Sequence, residues 1–174
     1  MCHANLCRSP MAERLARRAF DDAFGAAGRE VVTTSAGIRG FDGGPMHRFT
    51  ADVLSECGAD SRDFTSRTVD SKLLMDADLV LTATREQRTA CLTLEPGAVR
   101  RAFTLKQFAR FAAPLKSDGL GLLVDEVNLT RHRAPTVPDD HEDLADPMGR
   151  PIEAFRACAE DIWRCLRTVI NAVT

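Results

Sequence analysis

The sequence contains no tyrosine and a single tryptophan among its 174 residues. Regulation by phosphorylation of its own tyrosines is therefore excluded. Lysine is nearly as scarce, since only Lys72, Lys106 and Lys116 are present and arginine supplies the rest of the 23 basic residues. Acidic residues number 25 and the net charge is -2, so nothing marks nucleic acid or an anionic membrane as the main partner. No apolar run reaches the ~18 residues of a spanning helix, and no charged segment precedes a short apolar one as in a secretory signal. These absences predict a cytoplasmic protein without membrane insertion. The four histidines, His3, His47, His132 and His141, lack metal-ligand spacing, so no metal is expected. Six cysteines at 2, 7, 57, 91, 158 and 165 are an even number, but a long chain without a secretory signal does not need a disulfide framework. Cys158 and Cys165 lie within a helical pattern and read as core, because a free cysteine packs as a small hydrophobe.

The length suits one domain with a sizeable core, spanning residues 1–174. Residues 10–24 read as a helix with Met11, Leu15, Ala19 and Phe20 in its apolar stripe and Glu13, Arg14, Arg17 and Arg18 opposite. Ser9 suits its N-cap, Pro10 its first position and Gly25 its stop. Glu30–Thr34 reads as a strand, 46–57 as a helix stopped by Gly58, Asp78–Thr82 as a buried parallel strand, and Arg101–Leu105 as a weaker strand. Gly121–Arg133 reads as helical and Ala134–Asp143 as a loop. Pro151 opens a last helix with Phe155, Cys158, Ile162, Leu166 and Val169 on one face. Strands alternating with helices predict an α/β fold, a sandwich built around a parallel sheet.

The chemistry is concentrated in the first ten residues, MCHANLCRSP. Cys2 and Arg8 bracket five residues, and the chain then enters a helix. A short loop feeding a helix N-terminus points backbone N–H groups inward, and the helix dipole adds partial positive charge. A cysteine in that cradle is favoured as the nucleophilic thiolate. Arg8 supplies a planar fork for two phosphate oxygens, Ser9 can donate a hydrogen bond to the thiolate, and Asn5 tolerates a left-handed backbone while bracing the loop. A proton donor for the leaving oxygen is also needed. Asp146, followed by Pro147, is the candidate, although Asp139, Asp140, Glu142 and Asp143 lie close by and a lone Asp-Pro is equally an Asx-turn at a helix start.

The full string C-x-x-N-x-C-R-S-P-M-A-E resembles the phosphate loop of low-molecular-weight protein-tyrosine phosphatases of bacterial type. Ser35-Ala36-Gly37 is similar to that family's S-A-G segment, Ala77–Leu81 to its strand A-D-x-[IV]-[LV], and Asp143–Pro147 to its D-x-x-D-P segment. The resemblance implies a three-layer sandwich with a short parallel sheet of about four strands. It also implies hydrolysis of phosphotyrosine in proteins through a phosphocysteine. In it Cys2 is the nucleophile, Arg8 the phosphate clamp and Asp146 the general acid and base. His3, Ala4, Asn5, Leu6, Cys7 and Ser9 form the loop around the phosphate, Phe41 and Met148 wall the cleft, and Ser35 braces the loop. Neither metal nor cofactor is implied, and the expected partner is a tyrosine-phosphorylated protein such as a bacterial tyrosine kinase.

The sequence departs from that family at three places. Phe64 stands where many members have a loop-supporting histidine, and Met148 replaces an aromatic. Only Met1 precedes Cys2, where the family has an apolar strand at the sheet's centre. This central first strand is accordingly expected to be missing, and residues 1–174 alone to be N-terminally truncated and poorly folded or inactive. Rival readings on the same fold are a protein-arginine phosphatase, for which a small threonine at the position of Leu6 would argue, and a thioredoxin-coupled arsenate reductase, which needs a cysteine pair where only Cys91 is found. An inactive truncated relic is the rival of another class.

Overall fold

Helices form where an apolar stripe at helical spacing lies between a start and a stop signal. In the computed structural model, which describes residues 1–40 and 42–173 apart from the side chains of Asp139 and Asp140, the first is α1, Arg8–Phe24. Met11, Leu15, Ala19 and Phe20 are its buried stripe. Gly25, at φ +56°, ends it, a backbone conformation that costs an L side chain but not glycine. The helix begins earlier than residue 10, with Cys7 as N-cap and no side-chain cap. Ser9 is thus inside the first turn rather than at the cap, because its hydroxyl is committed to the loop before it. Arg14, expected outside, is buried. Its guanidinium lies over the Phe64 ring at 5.9 Å and beside Glu13, so its charge is neither unpaired nor in an apolar void.

The chain packs as two compact units, the first made of Met1–Val69 with Ala145–Arg164, the second of Asp70–Leu144 with Cys165–Thr174. In the first unit, extended segments meet through two parallel bridges, Cys2 with Gly37 and Gly37 with Thr68. The strand expected over Glu30–Thr34 does not form. A 3-10 turn, Ala27–Glu30, occupies its start. Further on, the Thr33 carbonyl accepts from Arg17 and its hydroxyl donates to the Glu13 carbonyl. These contacts with α1, one to a side chain and one to a backbone carbonyl, take the place of a ladder. Helix α2, Arg48–Glu56, is capped by His47, whose ring accepts from the Phe49 N–H. The same ring stacks on Phe155 at 4.9 Å. Phe155 belongs to helix α7, Ile152–Val173, whose predicted stripe of Phe155, Cys158, Ile162, Leu166 and Val169 is buried throughout.

The second unit holds helix α3, Ser71–Asp76, strand β1, Val80–Thr82, helix α4, Arg85–Leu94, strand β2, Ala102–Thr104, and helices α5, Leu105–Ala112, and α6, Leu120–Thr130. β1 and β2 pair in parallel, Val80 with Ala102 through Thr82 with Thr104. Their connection through α4 is the crossover that parallel pairing requires. Three of these helices start on a side-chain cap: Asp70 for α3, Thr84 with Gln87 as a capping box for α4, and Thr104 for α5. Phe103, Phe108, Leu123 and Val127 are fully buried between them. α6 falls close to the expected 121–133, and a short 3-10 turn, Asp139–Glu142, breaks the expected loop. The architecture is α/β with parallel pairing, as expected. Among the described residues the parallel pairing consists of one two-stranded ladder and two single bridges. No helix is long and apolar enough to cross a membrane among the described residues.

Candidate active site

All the described groups of the candidate site lie in the first unit. The loop from Cys2 to Ser9 is held from outside by its carbonyls. The Cys2 carbonyl accepts from Ile38 N–H, that of His3 from Arg39 N–H, and that of Leu6 from both His47 N–H and the Thr50 hydroxyl, at 2.9 to 3.2 Å. Among the described residues, no hydrogen bond uses the N–H groups of Ala4, Asn5, Leu6 or Cys7. Carbonyls drawn outward into the scaffold turn the peptide N–H groups the other way, the arrangement that binds an oxyanion ahead of a helix.

Asn5 makes the tight turn. It has φ +57°, and its side chain is completely buried. The amide nitrogen Nδ2 donates to Ser9 Oγ and to Ser35 Oγ, both at 2.9 Å, and Oδ1 accepts from Arg67 N–H at 3.0 Å. Every polar atom of this buried side chain therefore has its expected partner. Ser35 in turn donates to Glu13 Oε2 at 2.7 Å. Ser9 Oγ lies 2.9 Å from Cys2 Sγ. Asn5, Ser9 and Ser35 thus meet at the loop, with Ser9 against the sulfur, and Cys2 itself is buried.

Arg8 and Asp146 are 138 residues apart in sequence, yet Arg8 Nη2 donates to Asp146 Oδ2 at 2.6 Å. The guanidinium is buried and the carboxylate half exposed. Asp146 Oδ1 accepts from Met148 N–H at 3.1 Å, so the Asx-turn and the acidic group facing Arg8 are one and the same feature. Asp143, the nearby alternative, is committed elsewhere: its carboxylate accepts from Arg85 N–H at 2.8 Å. Glu142 is paired with Arg110 and with Gln107.

Cys7 is buried beneath the loop, and burial pushes its thiol up to about 12 despite a hydrogen bond with Thr50. Cys158 on α7 is likewise raised to about 12 by burial. Both stay neutral thiols at ordinary pH and pack as core atoms. Cys91 is fully buried in α4 and also raised by desolvation, so it does not suit the exchange chemistry of a redox pair. All six cysteines are free.

Of the remaining predicted residues, His3 is exposed and Ala4 and Leu6 partly exposed. Met148 is 44% exposed. Phe41 lies outside the described residues. No cluster of three or more His, Cys, Asp or Glu could hold a metal among the described residues. Sequence reasoning missed Thr50 and Arg67 as supports of the loop, which no local pattern marks. It also missed Glu13, although that residue closes the quoted string.

The sequence also matches known proteins. Residues 1–118 match the family model described as low molecular weight phosphotyrosine protein phosphatase. A curated relative from Ralstonia nicotianae, the probable low molecular weight protein-tyrosine-phosphatase EpsP, is 27% identical over 164 residues, covering 94% of this chain and 86% of its own. The solved tyrosine phosphatase AmsI of Erwinia amylovora superposes with a TM-score of 0.73 at 19% identity, over 99% of this chain and 89% of that one. That likeness concerns the fold. The YwlE arginine phosphatase of Geobacillus stearothermophilus superposes with a TM-score of 0.70 at 25% identity, over 97% and 86%. With more than half of its length matched by the family model, and with a phosphate-loop sequence folded as a carbonyl-anchored cradle, this chain belongs to the low molecular weight phosphotyrosine protein phosphatase family.

Proposed function

We propose that the chain hydrolyses phosphotyrosine in proteins through a phosphocysteine intermediate. The observation that carries the reading is the contact of Arg8 with Asp146 at 2.6 Å, in the same loop where Ser9 Oγ meets Cys2 Sγ at 2.9 Å. It gathers a nucleophile, an oxyanion fork and a proton carrier within one unit. Cys2 Sγ attacks phosphorus in line as the P–O bond to the leaving group breaks. The equatorial oxygens displace Asp146 from part of the Arg8 fork and meet the loop N–H groups, where charge accumulates in the transition state. Asp146, half exposed and released from Arg8, takes up a proton from solvent as the substrate binds and delivers it to the leaving oxygen. It then takes a proton from the water that breaks the P–S bond, and phosphate departs. Ser9 donates to the sulfur whenever it carries charge. The names of the relatives, protein-tyrosine phosphatases, support a tyrosine-phosphorylated protein as substrate; a bacterial tyrosine kinase would be one protein of that class.

The test is turnover of para-nitrophenyl phosphate, then of phosphotyrosine, phosphoserine and phosphoarginine peptides, by the full chain and by Cys2→Ser and Arg8→Lys. Phosphotyrosine turnover is expected, abolished in Cys2→Ser. It should fall more than about tenfold in Arg8→Lys, because one ammonium cannot replace a bidentate fork. Preferential turnover of phosphoarginine would transfer the substrate assignment to the arginine-phosphatase reading, and more than about one per cent residual activity in Cys2→Ser would refute the nucleophile.

A further inference from the structure

We propose that Glu13 is a positioning residue that sets the direction of a hydrogen-bond relay, Glu13–Ser35–Asn5–Ser9, and so aims the Ser9 proton at Cys2 Sγ. The inference rests on the reading of Cys2 as nucleophile and concerns what keeps its partner turned towards it.

Counting protons along the relay gives its direction. Arg67 N–H donates to Asn5 Oδ1 at 3.0 Å, so the Asn5 face towards the two serines is the NH2 group. Its two hydrogens are spent, one on Ser9 Oγ and one on Ser35 Oγ, each at 2.9 Å. Each serine oxygen thus accepts from Asn5 and has one proton left to give. That of Ser35 goes to Glu13 Oε2 at 2.7 Å. That of Ser9 goes to Cys2 Sγ at 2.9 Å, the competing Ala36 carbonyl being farther, at 3.4 Å.

The opposite direction is also conceivable in stereochemical terms. With the Asn5 amide turned over, Oδ1 would face both serines and accept a proton from each. Ser9 would then have none for the sulfur. Two groups oppose this reversal. Arg67 N–H would face an NH2 group, donor against donor. The Glu13 carboxylate, only 9% exposed, would lose the proton of Ser35, and a carboxylate has none of its own to offer. Leaving a buried charged acceptor unmatched is among the costlier events in a protein interior.

The two oxygens of Glu13 have separate roles. Oε2 serves Ser35. Oε1 lies 3.4 Å from Arg14 Nε and 3.4 Å from Arg17 Nη2. These guanidiniums balance a charge that would otherwise be expensive to bury. Phe64, the residue that departs from the family's histidine, packs against Arg14 and offers no polar atom. In this chain the polar anchor of the relay is therefore the carboxylate.

The experiment compares Glu13→Gln, Glu13→Ala, Ser35→Ala and Cys2→Ser with the parent full-length chain. It measures kcat and KM for para-nitrophenyl phosphate, the rate of Cys2 alkylation by neutral iodoacetamide at one fixed pH, and the thermal melt. Glu13→Ala should lower kcat about tenfold, the equivalent of one hydrogen bond to a charged group, with KM within about twofold and alkylation slowed in parallel. Glu13→Gln should retain kcat within about threefold, because its amide oxygen still accepts the Ser35 proton. Unchanged kcat and alkylation in Glu13→Ala would overturn the proposal, as would equal losses in Gln and Ala, which would assign Glu13 to charge balance alone. If Glu13→Ala does not melt cooperatively, Ser35→Ala decides. It cuts the relay without disturbing the arginines, and the same loss supports the relay whereas parental values refute it. A parent that fails to turn over substrate defeats the phosphatase reading, while the alkylation series, with Cys2→Ser as blank, still judges the relay.

Discussion

Replacing Gly37 with alanine should damage the site without touching any of its side chains. Gly37 sits between the two parallel bridges of the first unit, pairing with Cys2 on one side and Thr68 on the other. A Cβ built on it would lie 2.6 Å from the His3 carbonyl oxygen and 2.8 Å from both the Ala4 carbonyl carbon and the Asn5 nitrogen. All three are backbone atoms of the phosphate loop, so no flexible side-chain end can swing away. Restoring even a tight contact requires the loop to shift by roughly 0.5–1 Å, a displacement that can cost about 100-fold in rate when reacting groups are misplaced. Overpacking of this kind also costs about 1–3 kcal/mol of stability. The assay is kcat for para-nitrophenyl phosphate together with inhibition by inorganic phosphate and the thermal midpoint. Gly121→Ala is the companion variant, since nothing lies within 4 Å of its added Cβ. It sits in α6 and should gain about 0.5 kcal/mol with unchanged turnover. Gly37→Ala with kcat and phosphate inhibition within twofold of the parent would refute the argument that the loop's position depends on this close approach.

Asp146→Asn should depress rates most for poor leaving groups such as phenyl phosphate and least for activated ones, because only a basic leaving oxygen needs the proton; a uniform loss across a leaving-group series would indicate a structural role. The same variant should bind inorganic phosphate up to about fivefold more tightly, since Arg8 loses a half-exposed competitor of the strength of a surface ion pair, and weaker inhibition would contradict that competition. Asn5→Ala should destabilise the fold by about 3 kcal/mol or more, combining a strained φ of +57° with the loss of three buried hydrogen bonds, to be read from urea denaturation. Alkaline pH should weaken the protein: Cys7 and Cys158 are raised from 9.0 to about 12 on folding, so their neutral thiols contribute stability that is complete below pH 9 and lost as pH rises towards 12. The slope is about 1.4 kcal/mol per pH unit per thiol within that window. Cys158→Ala should flatten the fall in melting temperature between pH 8.5 and 10, and an unchanged slope would count against the assignment.

Much of this protein was legible along the chain because its signals are local. The stripe of α1, its stop at Gly25, and the parallel strands around 80 and 102 each depend on neighbours a few residues away. The loop was legible for the same reason. Cys2, Asn5, Arg8 and Ser9 lie within one turn of chain, and their types match what a phosphate cradle needs. The failures occurred where a residue had two possible partners. Glu30–Thr34 has strand-like composition, but the Thr33 carbonyl pairs with the Arg17 side chain and its hydroxyl with the Glu13 carbonyl, both of α1, rather than with a ladder. Ser9 is a good cap by type, but the relay to Cys2 claimed its hydroxyl. Arg14 reads as a surface residue, yet Phe64 and Glu13 together made its burial affordable.

What can be read along the chain is contiguous: a cysteine and an arginine six residues apart ahead of a helix, with an asparagine able to turn the loop. Which distant groups join them depends on how the chain folds. The fold brought Asp146 to Arg8 while giving Asp143 to Arg85, and it linked Glu13 to Cys2 through Ser35, Asn5 and Ser9. The physical reason is the difference between the two kinds of information. Spacing along a helix or a tight loop fixes geometry to within a turn of backbone. The choice between two carboxylates three residues apart, or between two directions of a hydrogen-bond relay, depends on which buried donor and acceptor would otherwise be left unmatched.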